Sequence, residues 1–288
     1  METVLAVDIG GTKIAAGVVD AGGALLQRSV RPTPQGSDAE ALYAVVLDAV
    51  SEVRGGGERA CGVGCGGPMT IGGESVSPLN IPAWREFPLL ARLTESLSVP
   101  VCIDNDAKAL ALGEGWAGAA RGVRDFLAMV VSTGVGGGIV LGGRLLDGAH
   151  GNAGHIGHVI VEPDGRACAC GAHGCLEAEA SGSAIQARTG RPAAAASAGE
   201  RTRTGRLVGR AVASVANLLD LRLAVVAGSV ALGYGEAFFE AAQAELDRSA
   251  RLDFSSGARV VPAGLGDEGP LVGAAAVGWR GLGVDLLG

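Results

Sequence analysis

A two-lobed α/β protein is the fold class this sequence predicts, and three observations predict it. Strand-like runs of Val, Leu, Ile and Ala alternate with helical periodicities along nearly the whole chain. The length of 288 residues exceeds one minimal domain and suits two, at about 150 residues each. Aromatics make up only 3% and glycines number 49, so the cores are aliphatic and the connections rich in special turns.

Residues 4–8, 14–19 and 25–31 read as three short strands, separated by Gly-Gly-Thr-Lys and Asp-Ala-Gly-Gly turns. Asp38 can cap a helix whose apolar positions recur from Ala41 to Val53, before Gly55-Gly56-Gly57 stops it. Strands follow at 60–66 and 99–104, and Asn105 begins a helix. Residues 125–132 and 138–141 read as a strand pair around a glycine loop. Beyond them come a helix at 204–221, a strand at 224–227, a helix at 235–248, a strand at 259–262 and a last helix at 270–279. Such alternation predicts a mostly parallel, helix-covered sheet. The expected small lobe covers 1–108 and is rejoined by the C-terminal helix at 277–288, and the large lobe covers 109–276. No internal repeat is visible, and the alanine run at 193–198 reads as a surface connection.

Composition excludes several classes. A formal charge of -7 and the lack of a long Lys/Arg cluster argue against nucleic-acid binding. Arg201, Arg203, Arg206 and Arg210 read as a solvated face or phosphate rim. Neither a secretory leader nor a run of about 18 apolar residues is seen, so a cytoplasmic protein without a membrane partner is expected. Three of the six cysteines crowd together as Cys168, Cys170 and Cys175, a spacing that suits a metal in a reducing compartment.

Four motifs carry chemistry. Asp8-Ile9-Gly10-Gly11-Thr12-Lys13 joins two strands, where backbone N–H groups can cradle phosphate oxygens and Asp8 can serve Mg²⁺; a plain hairpin would look the same without Asp8, Thr12 and Lys13. The second is Ser132-Thr133-Gly134-Val135-Gly136-Gly137-Gly138, again between strands, so that each lobe offers a loop to a nucleotide's phosphates. A further turn at Gly228 suits the adenosine side. The third, Asp104-Asn105-Asp106, lies at a strand-to-helix junction. Asp106 is the candidate general base for a hydroxyl, and a helix cap by Asp104 or Asn105 is the competing role.

The fourth sets His158 with Cys168, Cys170 and Cys175, a closed tetrahedral donor set for structural Zn²⁺. Disulfides, or His173 in place of His158, are the alternatives. Around it Asn80, His155, His158 and Glu177 offer hydrogen bonds to a polyhydroxylated ligand. Cys61, Cys65 and Cys102 read as small buried hydrophobes.

In this order the motifs resemble the ROK family of bacterial sugar kinases and repressors, over essentially the whole chain from Val4 to Val277. The resemblance implies an actin-like ATPase (ribonuclease H-like) fold, two α/β lobes with a nucleotide and sugar cleft between them. It also implies ATP and Mg²⁺ as cofactors, a structural Zn²⁺ in the loop 158–175, and phosphorylation of a hexose or amino-hexose at the 6-hydroxyl. By position Asp106 matches the catalytic base, with Asn80, Asn105, His158 and Glu177 near the sugar, and a homo-oligomer, dimer or tetramer, is expected. His155 stands where glucokinase-like members carry Glu and resembles the Gly-His-Ile-Gly-His of bacterial N-acetylmannosamine kinases, whereas residues 77–84 look glucokinase-like. Glucose, N-acetylmannosamine and amino-glucoses remain the candidate substrates. A sugar-sensing regulator is disfavoured because no helix-turn-helix precedes the first strand, and an inactive sugar-binding module because Asp8, Asp106 and both loops are intact.

Overall fold

A computed structural model describes residues 1–36 and 38–288. They form two compact units, Met1–Gly122 with Asp147–Ala153 and Gly264–Gly288, and Val123–Leu146 with Gly154–Ala263. The border expected at 108 lies inside a helix of the first unit, and the chain leaves that unit only after Gly122.

The first unit opens with β1 (Thr3–Ile9), β2 (Lys13–Asp20) and β3 (Leu25–Pro32), an antiparallel meander. Helix α1 (Ala39–Val53) follows, and Asp38 caps it by accepting from the Ala41 N–H at 2.7 Å. Then come β4 (Cys61–Cys65), α2 (Leu89–Leu97), β5 (Val101–Asn105) and α3 (Asp106–Ala117). The sheet runs β3-β2-β1-β4-β5. Side chains of β1 alternate between two cores. Leu5, Val7 and Ile9 pack with Leu42, Val46 and Val50 of α1, and Val4 and Ala6 pack with the C-terminal helix. Coverage of both faces explains why β1 reads as a continuous apolar run.

The second unit begins with β6 (Phe126–Val131), β7 (Val135–Leu141) and β8 (Arg144–Leu145). After a long irregular stretch come α4 (Leu176–Ala180), α5 (Gly182–Thr189), α6 (Ala198–Leu219), β9 (Leu223–Ala227), α7 (Ser229–Tyr234), α8 (Glu236–Ser249) and β10 (Arg259–Pro262). Leu127, Met129 and Val131 of β6 bury against Leu207, Ala211 and Phe238 of α6 and α8. Helix α9 (Gly269–Gly281) returns to the first unit.

The second sheet runs β10-β9-β6-β7-β8. Read from β8, it has the strand order of the first sheet, an antiparallel meander followed by two parallel strands. Both sheets are therefore mixed, because each opens with hairpins where the expectation of mostly parallel pairing needs crossovers. Helix α6 also starts six residues before the expected 204, capped by Ser197, whose hydroxyl accepts from the Glu200 N–H. The polar Glu-Arg-Thr-Arg opening concealed it. No helix among the described residues is long and apolar enough to cross a membrane.

Candidate active site

In the first unit the parallel register of β1, β4 and β5 sets Asp8 beside Gly64, and Gly64 beside Asp104. A Cβ placed on Gly64 would lie 3.7 Å from Asp8 Oδ1 and 3.7 Å from the Cα of Asp106. Asp8 by its carboxylate and Asp106 by its backbone thus flank one bare glycine. Burial raises the Asp8 carboxyl, the charge of Asp106 raises it further, and Lys13 partly offsets both, leaving it at about 7. Asp106 is exposed at the first position of α3, with Oδ1 accepting from the Ala107 N–H at 2.8 Å. Asn105 is the helix cap, its Oδ1 accepting from Ala107 and Lys108. Its expected sugar-facing role is therefore left to the amide nitrogen.

The turn after β1 closes by the Gly10 N–H donating to the Lys13 carbonyl at 3.0 Å, with Thr12 and Lys13 exposed. Thr33 donates to the Gly10 carbonyl and Gln35 to that of Gly11, at 2.6 and 3.0 Å. These bonds hold the carbonyls to one side. A Cβ on Gly11 would come within 2.6 Å of the Asn80 Cβ, so glycine is what allows Asn80, an exposed residue, to rest on the turn.

In the second unit the tight turn is shorter than expected. Only Ser132, Thr133 and Gly134 lie between the strands, with the Ser132 N–H donating to the Gly134 carbonyl at 2.9 Å. Gly136, Gly137 and Gly138 belong to β7, paired with Val130, Met129 and Ala128. A Cβ on Gly137 would meet Ile156 Cγ2 at 2.9 Å and the Gly154 carbonyl at 3.1 Å. The glycine run therefore makes room for the segment carrying His155, a packing use that stands beside its reading as part of a phosphate loop.

Several groups converge on that turn. The Ser132 and Ser229 hydroxyls are 3.0 Å apart, which joins it to the residue after Gly228. Gly182 and Ser183, at the start of α5, donate to the carbonyls of Ser132 and Thr133 at 2.7 and 3.2 Å. Glu177 Oε2 accepts from the Val135 N–H at 2.9 Å, so this carboxylate braces the turn.

His155 and His158 flank the buried Ile156, their rings 6.0 Å apart and tilted by only 19°. His158, Cys168, Cys170 and Cys175 offer ligand atoms that all lie within 4.8 Å of one another, and His173 is outside this group. Burial, reinforced by Cys170 and Cys168, pushes the Cys175 thiol up to about 12, and the backbone at Ala172, with Cys168, lowers that of Cys170. Three sulfurs this close cannot all ionise without a cation, and three thiolates with one imidazole fit a tetrahedral dication.

Three groups escaped the sequence reading. Glu114, fully buried, accepts from the N–H groups of Ala119, Gly264 and Leu265 at 2.7, 3.0 and 3.1 Å. Lys108 is buried among Asp104, Asp147 and the Gly151 carbonyl, and its spacing of four from Asp104 was the one available signal. The arginines read as a solvated face are largely clamped, Arg203 on Glu179 at 2.6 Å and Arg210 on Glu162 and Glu245 at 2.9 and 3.2 Å.

Comparisons with known proteins bear on these groups. The ROK family profile matches residues 4–279. An N-acetylmannosamine kinase of Escherichia fergusonii is 36% identical over 248 residues, covering 81% of this chain and 85% of that protein. A ROK hexokinase from Thermus thermophilus superposes with a TM-score of 0.80 at 36% identity, over 98% of this chain and 99% of that one. A ROK family glucokinase from Streptomyces griseus, solved with glucose and AMPPNP, superposes with a TM-score of 0.81 at 31% identity, over 96% and 99%.

Proposed function

The chain belongs to the ROK family and has its two-sheet actin-like ATPase fold, and from that premise we propose that it is an ATP-dependent kinase of a hexose or amino-hexose, acting on the 6-hydroxyl. The observation that carries this reading is the pair Asp8 and Asp106 across bare Gly64. Two carboxylates so placed, one of them raised to about 7, are costly in a resting protein and useful where a proton and a cation must be handled.

Asp106 takes the proton of the attacking hydroxyl, since an alcohol is scarcely ionised near neutral pH. Its Oδ1 accepts from the Ala107 N–H, which orients the carboxylate at the start of α3. Asp8 and Lys13 are the groups suited to Mg²⁺ and phosphate, and Mg²⁺ when bound neutralises charge on the phosphates. Gly10, Gly11 and Thr12, and Ser132, Thr133 and Gly134, are the groups whose N–H and hydroxyl donors suit a nucleotide. Asn80, Asn105, His155, His158 and Glu177 are assigned to the sugar. The cluster His158, Cys168, Cys170 and Cys175 is assigned to structural Zn²⁺, with no open position for chemistry.

Neutral imidazole both donates and accepts, so His155 admits an acyl carbonyl where a carboxylate would repel it. The enzyme should therefore accept N-acetylmannosamine alongside glucose. An ADP-release assay with Mg-ATP against glucose, glucosamine, N-acetylglucosamine and N-acetylmannosamine tests the proposal. ADP release stimulated by none of them would refute it.

A further inference from the structure

Lys108 is a charged residue in a place where an apolar one would pack. Its side chain is only 5% exposed, yet its ammonium meets Asp104 Oδ1 at 3.0 Å, Asp147 Oδ1 at 2.6 Å and the Gly151 carbonyl at 3.3 Å. The ammonium donates to Asp147 and Gly151 and pairs electrostatically with Asp104. Arg280 of α9 reaches the other oxygens of the same carboxylates, Asp104 Oδ2 at 3.5 Å and Asp147 Oδ2 at 3.2 Å. Two cations and two anions thus interlock.

The partners come from unrelated parts of the sequence. Asp104 ends β5 and precedes Asn105 and Asp106, the cap and the assigned base. Asp147 and Gly151 belong to the excursion Asp147–Ala153, whose flanking residues on both sides, Leu146 and Gly154, are in the second unit. Within the excursion the Ala153 N–H donates to the Asp147 carbonyl at 3.0 Å and that of Gly151 to Gly148 at 3.4 Å. Fixing Asp147 and Gly151 therefore fixes the whole turn, and His155 follows its last residue by two.

We propose that Lys108 is a positioning residue, whose ammonium ties the strand end bearing Asp106 to the excursion 147–153 within the first unit and so sets the affinity for the sugar. The inference rests on the sugar-kinase reading for its kinetic part alone. Replacing an ion pair by apolar packing often leaves stability unchanged or improved, so stability does not explain a buried ammonium here. What it supplies is register, three oxygens of two distant segments held around one nitrogen. Burial opposes ionisation of Asp147, but Lys108 and Arg280 prevail and hold its carboxyl below the usual range, consistent with an intact cluster at neutral pH.

Lys108→Gln and Asp147→Asn test this with two readouts. Hydrogen exchange over residues 147–153 should accelerate about tenfold or more in Lys108→Gln, with β1 and β2 unchanged. The KM for the sugar should rise about 10- to 100-fold, with the KM for ATP within about twofold. Asp147 is 50% exposed, so its variant should fold even if the lysine variant does not, and it should shift both readouts in the same direction. The double variant should be no worse than Lys108→Gln. Unchanged exchange would overturn the tie, and faster exchange with an unchanged sugar KM would overturn its role in recognition. A wild-type protein active on no sugar would instead refute the kinase reading, and exchange would still decide whether Lys108 holds the excursion.

Discussion

Replacing Asp8 by Asn should stabilise the ligand-free protein at alkaline pH while abolishing its activity. The carboxyl titrates at about 7 when folded against an ordinary value of 3.8. Between these values the folded chain holds a proton that the unfolded chain has released, so stability falls as pH rises through this window. The loss is absent below about pH 4 and complete above pH 7. A displacement of about three units corresponds to a ceiling of about 4 kcal/mol, and Asp8 is half-buried rather than sealed, so about 2 kcal/mol is the working figure. Asn keeps the shape and removes the charge. Differential scanning calorimetry at pH 8 should place the variant about 4–8 °C above the wild type, given about 2–4 °C per kcal/mol at this size, and at pH 5 the gap should shrink to less than half. Asp106→Asn should give a smaller gain, since the charge of Asp106 ranks behind burial as a cause. A gap independent of pH, or an Asp8→Asn protein less stable than wild type at pH 8, would refute the reasoning.

Asp106→Asn should lower kcat by about 10²–10⁴ while sugar binding, followed by calorimetry, is largely kept, because the amide preserves shape but takes no proton; most of kcat surviving would remove Asp106 as the base. Elemental analysis should find one zinc per chain, and chelation should lower the melting temperature, since a structural site turns metal affinity into folding free energy. Glu114→Gln should cost about 2–4 kcal/mol in denaturant unfolding: an amide presents one acceptor and one donor to three N–H groups, so at least one buried donor is left unmatched. His155→Glu should shift kcat/KM toward glucose and away from N-acetylated sugars by about 1–3 kcal/mol, and unchanged ratios across the four sugars would show that His155 does not read the substrate.

What the sequence made legible was local. Asp38 and Asn105 were readable as caps because a cap lies within three residues of the N–H it serves. The four-residue donor set was readable because three of its cysteines fall within eight positions. Contacts set by sheet register were not. Asp8 and Asp106 are 98 residues apart in the chain and meet only because β4 lies between β1 and β5 with Gly64 at the matching position. Lys108 and Asp147 are 39 apart, with no periodicity to link them. The packing role of the glycine run at 136–138 was hidden for a physical reason: glycine is used both where a loop turns and where another backbone presses on a strand, and here Gly154 and Ile156 press on β7.

The repeated strand order gives the assigned chemistry a common logic. In each sheet the first hairpin follows a strand that pairs antiparallel on one side and parallel on the other, β1 in the first unit and β6 in the second. The turn after β1 holds Gly10, Gly11 and Thr12, and the turn after β6 holds Ser132, Thr133 and Gly134. The next parallel strand ends on glycine in both cases, Gly66 after β4 and Gly228 after β9. Equivalent positions therefore carry equivalent backbone, and the difference between the units lies in the side chains. Beside its turn the first unit places carboxylates, Asp8 and Asp106, suited to a proton and a cation. In the second, Ser132 and Ser229 put two hydroxyls 3.0 Å apart, and the Glu177 carboxylate beside them is engaged by the Val135 N–H. One topology is thus used twice, with carboxylates beside the first turn and a hydroxyl pair, braced by Glu177, at the second.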